Sequence, residues 1–189
     1  MSEFESLFSF YGLLLGLALA LAASGFADLW RKHGKIKAGV LIPLLGIVLV
    51  SAVTSNWYTA WVSRDGLLMH PGHLFTSLGV SLPLVFVGQA MFPDDPDKWS
   101  SLDDYYLENR KVLPAILLIS PLTSLIYGVL AFGPIFLFND LPRVVVVGLG
   151  LAILPFARKR WVHITGLTIL AAGYFLRMMF AYWAQPPVS

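Results

Sequence analysis

Cysteine is missing from all 189 residues, and charge is scarce. Lys, Arg, Asp and Glu make up 13% of the chain, against roughly 25% in a typical soluble domain. Without cysteine there are no disulfides and no thiolate metal ligands. A formal net charge of +2 is too small for the electrostatic footprint of a nucleic-acid binder, and no RNA- or DNA-binding pattern is present. The paired acids or histidine clusters that hydrolysis or phosphoryl transfer would need are missing too. Asp95 and Asp97 have the opening spacing of a calcium loop. The glycine and closing glutamate of such a loop are absent at the required offsets, so no metal site is expected. The first residues, MSEFESLF, are acidic where a secretory signal is basic. No cleavable leader is expected, and the ALALAAS run reads as helix-packing residues.

What is present is apolar. Hydrophobic residues make up 57% of the sequence, and the mean hydropathy is +0.73. Tyr11 to Trp30 is apolar for about 20 residues, the length that spans a bilayer core as an α-helix. Gly12, Gly16, Ala20 and Ser24 recur at every fourth position of that stretch. On a helix they share one side, where a second helix can approach closely in lipid. The expectation is a hub helix with this smooth side turned inward.

The chain reads as one domain over 1–189: an all-α, polytopic bundle of six transmembrane helices. The spans fall at about 8–30, 39–62, 73–92, 112–138, 141–157 and 161–183, and a soluble loop covers 93–111. Gly133 and Pro134 break or tilt the end of the fourth span. Lys and Arg set the orientation. Arg31, Lys32, Lys35, Lys37, Lys98, Arg110, Lys111, Arg158, Lys159 and Arg160 lie in the odd loops. The opposite side holds only Arg64 and Arg143. The odd loops are therefore expected in the cytoplasm, and both termini outside it.

Few polar residues lie within the spans. Arg177 sits about seven residues from the outer end of the sixth, at a depth of roughly 10 Å. Gly173 and Ala181 flank it at four-residue spacing, which marks an inward, helix-packing face. Such an arginine pairs with an acid, snorkels to the headgroups or contacts a ligand. The second span is polar in its outer half, with Ser51, Ser55, Asn56 and Thr59 as candidate partners or ligand contacts. Asp28 closes the first span, three and four residues before Arg31 and Lys32, and local pairing accounts for it. His70 and His73 flank Pro71-Gly72 and read as interfacial residues at a helix start. In the loop, Ser101 and Asp104 form a capping-box pattern. Leu102 to Lys111 is expected as an interfacial helix, with Asp103 and Asp104 at its N-terminus and Tyr105 and Tyr106 at headgroup level.

Two stretches, FSFYGLLLGLALA…GFADLWR and FPDDPDKWSSLDDYY, together resemble small, uncharacterised inner-membrane proteins of proteobacteria. The resemblance covers about the first two thirds of the chain. It implies a bacterial inner-membrane location and supplies no functional residues.

These readings converge on a non-enzymatic, structural or accessory protein of the inner (plasma) membrane. It would be a homo-oligomer or a subunit of a larger complex, with the bilayer as its environment and both termini periplasmic. The loop Pro93 to Lys111 is the expected docking surface for a membrane-protein partner, and no cofactor is expected. The competing reading is a small-solute transporter or channel that uses Arg177 and the polar half of the second helix.

Overall fold

The computed structural model describes residues 3–31, 37, 39–64, 70–133 and 144–183, except for the side chains at 132, 144–146, 177, 178 and 180–183. The chain is all-α. Helices α1 (Glu3–Arg31), α2 (Leu41–Val62), α3 (Pro71–Ala90) and α5 (Val112–Phe132) are each long and apolar enough to cross a membrane. A short helix, α4 (Leu102–Glu108), interrupts the series before α5. After α5 come a π-helical turn, Val144–Leu149, helix α6 (Gly150–Ile153), a 3-10 turn, Leu154–Phe156, and the last helix, α7 (Arg160–Trp183).

Local chemistry sets several of these ends. α1 opens with Glu3 and Glu5 and closes with Arg31, so each charge opposes the helix dipole at its end. α3 starts at a proline, which suits a first turn whose N–H groups have no intrahelical acceptor. Its N-cap is His70, whose Nδ1 accepts from the Gly72 N–H at 3.1 Å. α5 stops at Phe132 because Gly133 takes a positive φ of 74°, a conformation that ends helices and favours glycine. The continuation expected to 138 lies outside the described residues beyond that point.

The fifth expected span, 141–157, has a different form. Its described part, 144–156, passes through π, α and 3-10 turns. It would extend about 20 Å as a helix, short of the roughly 30 Å hydrocarbon core. Pro155, which has no N–H to continue the ladder, lies in the closing 3-10 turn.

α3 lies between α1 and α5, and α2 packs along α7. α1 buries Leu7, Tyr11, Leu15, Ala18 and Ala22. α2 buries Leu41, Ile42, Leu45, Val48 and Leu49, and α7 adds Leu167 and Leu170. α1 and α3 are in close contact at Gly88, where a Cβ would stand 2.7 Å from the Ala18 carbonyl oxygen.

This corrects the expected orientation of the hub helix. Gly12 and Gly16 would meet nothing within 4 Å if they carried a Cβ, and Ala20 and Ser24 are exposed. The small row therefore lies off the intramolecular face. The buried set also recurs at three- and four-residue steps, and a larger side chain at Tyr11 or Leu15 buries more apolar area than a glycine does.

Gly88→Leu should lower the thermal stability of the purified protein by the equivalent of about 1 to 3 kcal/mol or more. Gly16→Leu should be neutral, or stabilising by up to about 1 kcal/mol, since leucine is the better helix former. Melting curves in detergent compare them, and equal losses would contradict the packing described.

Candidate functional site

α2 begins without a local cap. Val40 holds the N-cap position and offers no side-chain acceptor, and the first turn contains no acid. Asp103 of α4 supplies what is missing. Its Oδ1 accepts from the N–H groups of Val40 at 2.9 Å and Leu41 at 2.8 Å. Gly39 permits this approach: its φ is 67°, and a Cβ there would overlap the Asp103 carboxylate. The Leu102 N–H donates to the Lys37 carbonyl at 3.1 Å and holds Lys37 against the start of α4.

Asp103 is buried, with 4% of its surface exposed. Its Oδ2 accepts no hydrogen bond of good geometry and is held as an ion pair by the half-exposed guanidinium of Arg160. Arg160 is the first residue of α7. The N-termini of α2, α4 and α7 thus converge on one carboxylate. Each presents the positive end of a helix dipole, so a buried negative charge is favoured there. α4 carries its own cap as well: Ser101 Oγ accepts from the Asp104 N–H at 3.2 Å and donates to the Asp104 carboxylate at 2.8 Å. The Ser101–Asp104 capping box holds. Asp103, beside it, serves a different helix from the one it was expected to serve.

The tyrosines of α4 face the protein, which corrects their expected place at the headgroups. Tyr106 is fully buried, and burial pushes its phenol well above the usual range, so it stays protonated. Its hydroxyl lies 3.3 Å from His163 Nδ1 on α7, and His163 Nε2 lies 3.1 Å from the Ala157 carbonyl. Carbonyls only accept, so Nε2 carries the proton and Nδ1 accepts from Tyr106. Tyr105 donates to the Ala90 carbonyl at 2.6 Å and closes the C-terminus of α3. Trp99 packs edge-on against its ring at 5.2 Å. Seven residues of α4 therefore tie together α2, α3 and α7.

The opposite end of the bundle is built differently. Phe8 meets Trp57 and Trp61 at 5.4 and 5.8 Å, and Phe4 meets Trp61 at 6.3 Å. This fixes the start of α1 beside the end of α2. His73 at the start of α3 meets Tyr127 of α5 at 5.3 Å. These elements border a half-open cavity of about 410 Å³. Asn56 lines it while only 8% exposed, and its carboxamide has no hydrogen-bond partner among the described residues. The carboxamide is therefore open to the cavity and not sealed in the core.

The residues singled out in the sequence separate accordingly. Asn56 and Thr59 line the cavity. Ser55 is buried and Ser51 half-buried, and neither lines it. Thr59 donates to the Ser55 carbonyl at 2.8 Å. Asp28 pairs with Arg31 at 3.1 Å on an exposed surface, and Lys32 is outside the described residues. Gly173 is half-buried on α7. The backbone of Arg177 is helical, but its side chain lies outside the described residues. The Asp103–Arg160 and Tyr106–His163 pairs were not expected, because 57 residues separate each pair in sequence and no local spacing joins them. One local signal did exist: a long helix that starts at Gly39-Val40-Leu41 without Ser, Thr, Asp or Asn needs a distant acceptor.

No family model, curated protein or solved structure matches the chain.

Substitutions at the carboxylate should rank in severity. Asp103→Ala removes both backbone acceptors and leaves Arg160 without its anion, at an expected cost of about 2 to 4 kcal/mol. Asp103→Asn keeps an acceptor and should cost about half as much. Arg160→Ala strands the buried Oδ2 but leaves both backbone donors on Oδ1, so it should cost less than Asp103→Ala, about 1 to 2 kcal/mol. Melting temperatures of the three variants give the order. A larger loss for Arg160→Ala than for Asp103→Ala would contradict the capping role.

Proposed function

We propose that this chain is a multi-pass inner-membrane protein of six spans, with both termini periplasmic, that works as a structural or accessory component. The carrying observation is the commitment of the polar groups at the basic end. Asp103 caps α2, Arg160 neutralises Asp103, and both ring nitrogens of His163 are bonded within the chain. Groups committed in this way hold helices in register and are not free to meet a substrate. α7, at 24 residues, is long enough to serve as a further span, and the segment ending at Phe156 would be the shortened fifth.

The charge pattern supports the orientation. Arg31, Lys37, Arg110 and Arg160 belong to the α4 end of the bundle, whereas Trp57, Trp61 and Arg64 lie at the other end, with Arg64 over the Trp61 ring at 5.2 Å. The positive end is the cytoplasmic one. Folding the tyrosines of α4 inward leaves Asp94, Asp95, Asp97 and Lys98 exposed. That exposed part of the Pro93 to Lys111 loop is the surface we assign to a membrane-protein partner.

A C-terminally tagged chain tests both halves of the proposal. Protease added to intact spheroplasts should remove the tag. The protein extracted from its own membranes in a mild detergent should migrate well above its 20.8 kDa monomer mass, as a homo-oligomer or with a partner. A protected tag would overturn the orientation, and a monodisperse monomer would overturn the accessory role.

A further inference from the structure

The cavity opposite α4 has features that scaffolding does not require. Among the described residues no Asp, Glu, Lys or Arg lines it. A cationic guest would find no carboxylate there, and an anionic one no cation beyond a protonated His73, so an ionised occupant is disfavoured. Its walls differ in kind. α1 contributes Phe4, Leu7 and Phe8 with the ring of Tyr11, whereas α2, α3 and α5 contribute Asn56, Ser77 and Ser124 beside His73 and Tyr127. Thr59 and Thr76 also border it, but their hydroxyls already donate to the Ser55 and Gly72 carbonyls. Asn56 differs from them: it is nine-tenths buried, faces the cavity, and its amide is bonded to no described residue. Polar groups buried in this way are ordinarily paired. A volume of about 410 Å³ falls among small-molecule sites.

We propose that this cavity binds an uncharged amphiphile from the bilayer. Its apolar body lies along α1, and its oxygen-bearing head is held by the Asn56 carboxamide. The carboxamide both donates and accepts, so it suits a carbonyl or a hydroxyl. Two membrane sources share that chemistry, the neutral glycerides and the prenyl quinones. The position agrees with either, because the cavity lies beside Trp57 and Trp61, residue types that settle at headgroup level. The site is independent of the accessory role and of the α4 contacts.

The test is thermal unfolding of the full chain in detergent with four probes: 1,2-dioctanoylglycerol, decylubiquinone, decanoate and glycerol. At least one of the first two should raise the melting temperature by about 5 to 10 °C at a hundredfold excess over its Kd, and which of them does so identifies the source. Decanoate, which is charged, and glycerol, which has no apolar body, should have no effect. Asn56→Leu should melt no lower than wild type without ligand and should lose the shift. Ser124→Leu, which fills the cavity from the opposite wall, should lose it too. Four results would each overturn the proposal: no shift from either neutral amphiphile, an equal shift from decanoate, a shift retained in Asn56→Leu, or an unliganded Asn56→Leu that melts several degrees lower.

Discussion

One buried carboxylate holds the basic end of this bundle together. Asp103 accepts the first two backbone donors of α2, sits in the first turn of α4, and pairs with the first residue of α7. Three positive helix ends brought close together would repel one another and leave donors unsatisfied. A single negative charge answers both problems. Arg160 then limits the cost of burying that charge while its own guanidinium remains half in solvent. Gly39 belongs to the same arrangement, because any side chain at that position would occupy the space of the carboxylate.

From that point the two ends of the molecule follow different rules. At the α4 end, Tyr105, Tyr106 and His163 form bonds that close the C-terminus of α3 and seat α7. At the far end the contacts are mainly aromatic, between Phe4, Phe8, Trp57, Trp61, His73 and Tyr127. Ring contacts are less directional than hydrogen bonds, so a cavity can persist among them. The same helices are thus fixed at one end by directional bonds and left with room for a guest at the other.

The helices were legible in the sequence because apolar length and capping chemistry act locally. Ser101 with Asp104 and the stop at Gly133 follow from residues within a few positions of one another, whereas α3 begins at Pro71, two residues before the expected start. The tertiary use of those helices was not legible. The row Gly12, Gly16, Ala20 and Ser24 and the buried set Leu7, Tyr11, Leu15, Ala18 and Ala22 share nearly the same period, so spacing could not say which faces inward. Asp103 looked like a first-turn acid of its own helix because its true partners lie 62 and 63 residues away. Asn56 was visible as a polar residue in an apolar helix, but its burial without a partner becomes evident only when α1, α3 and α5 close around it.

The central claim, that Asp103 caps α2 from across the bundle, is tested most directly by amide hydrogen exchange at Val40 and Leu41. The account predicts that these two amides exchange slowly in the wild type and at least tenfold faster in Asp103→Ala, while amides in the middle of α2, such as Leu49 and Val53, change far less. Equal exchange at Val40 and Leu41 in the two proteins would contradict it.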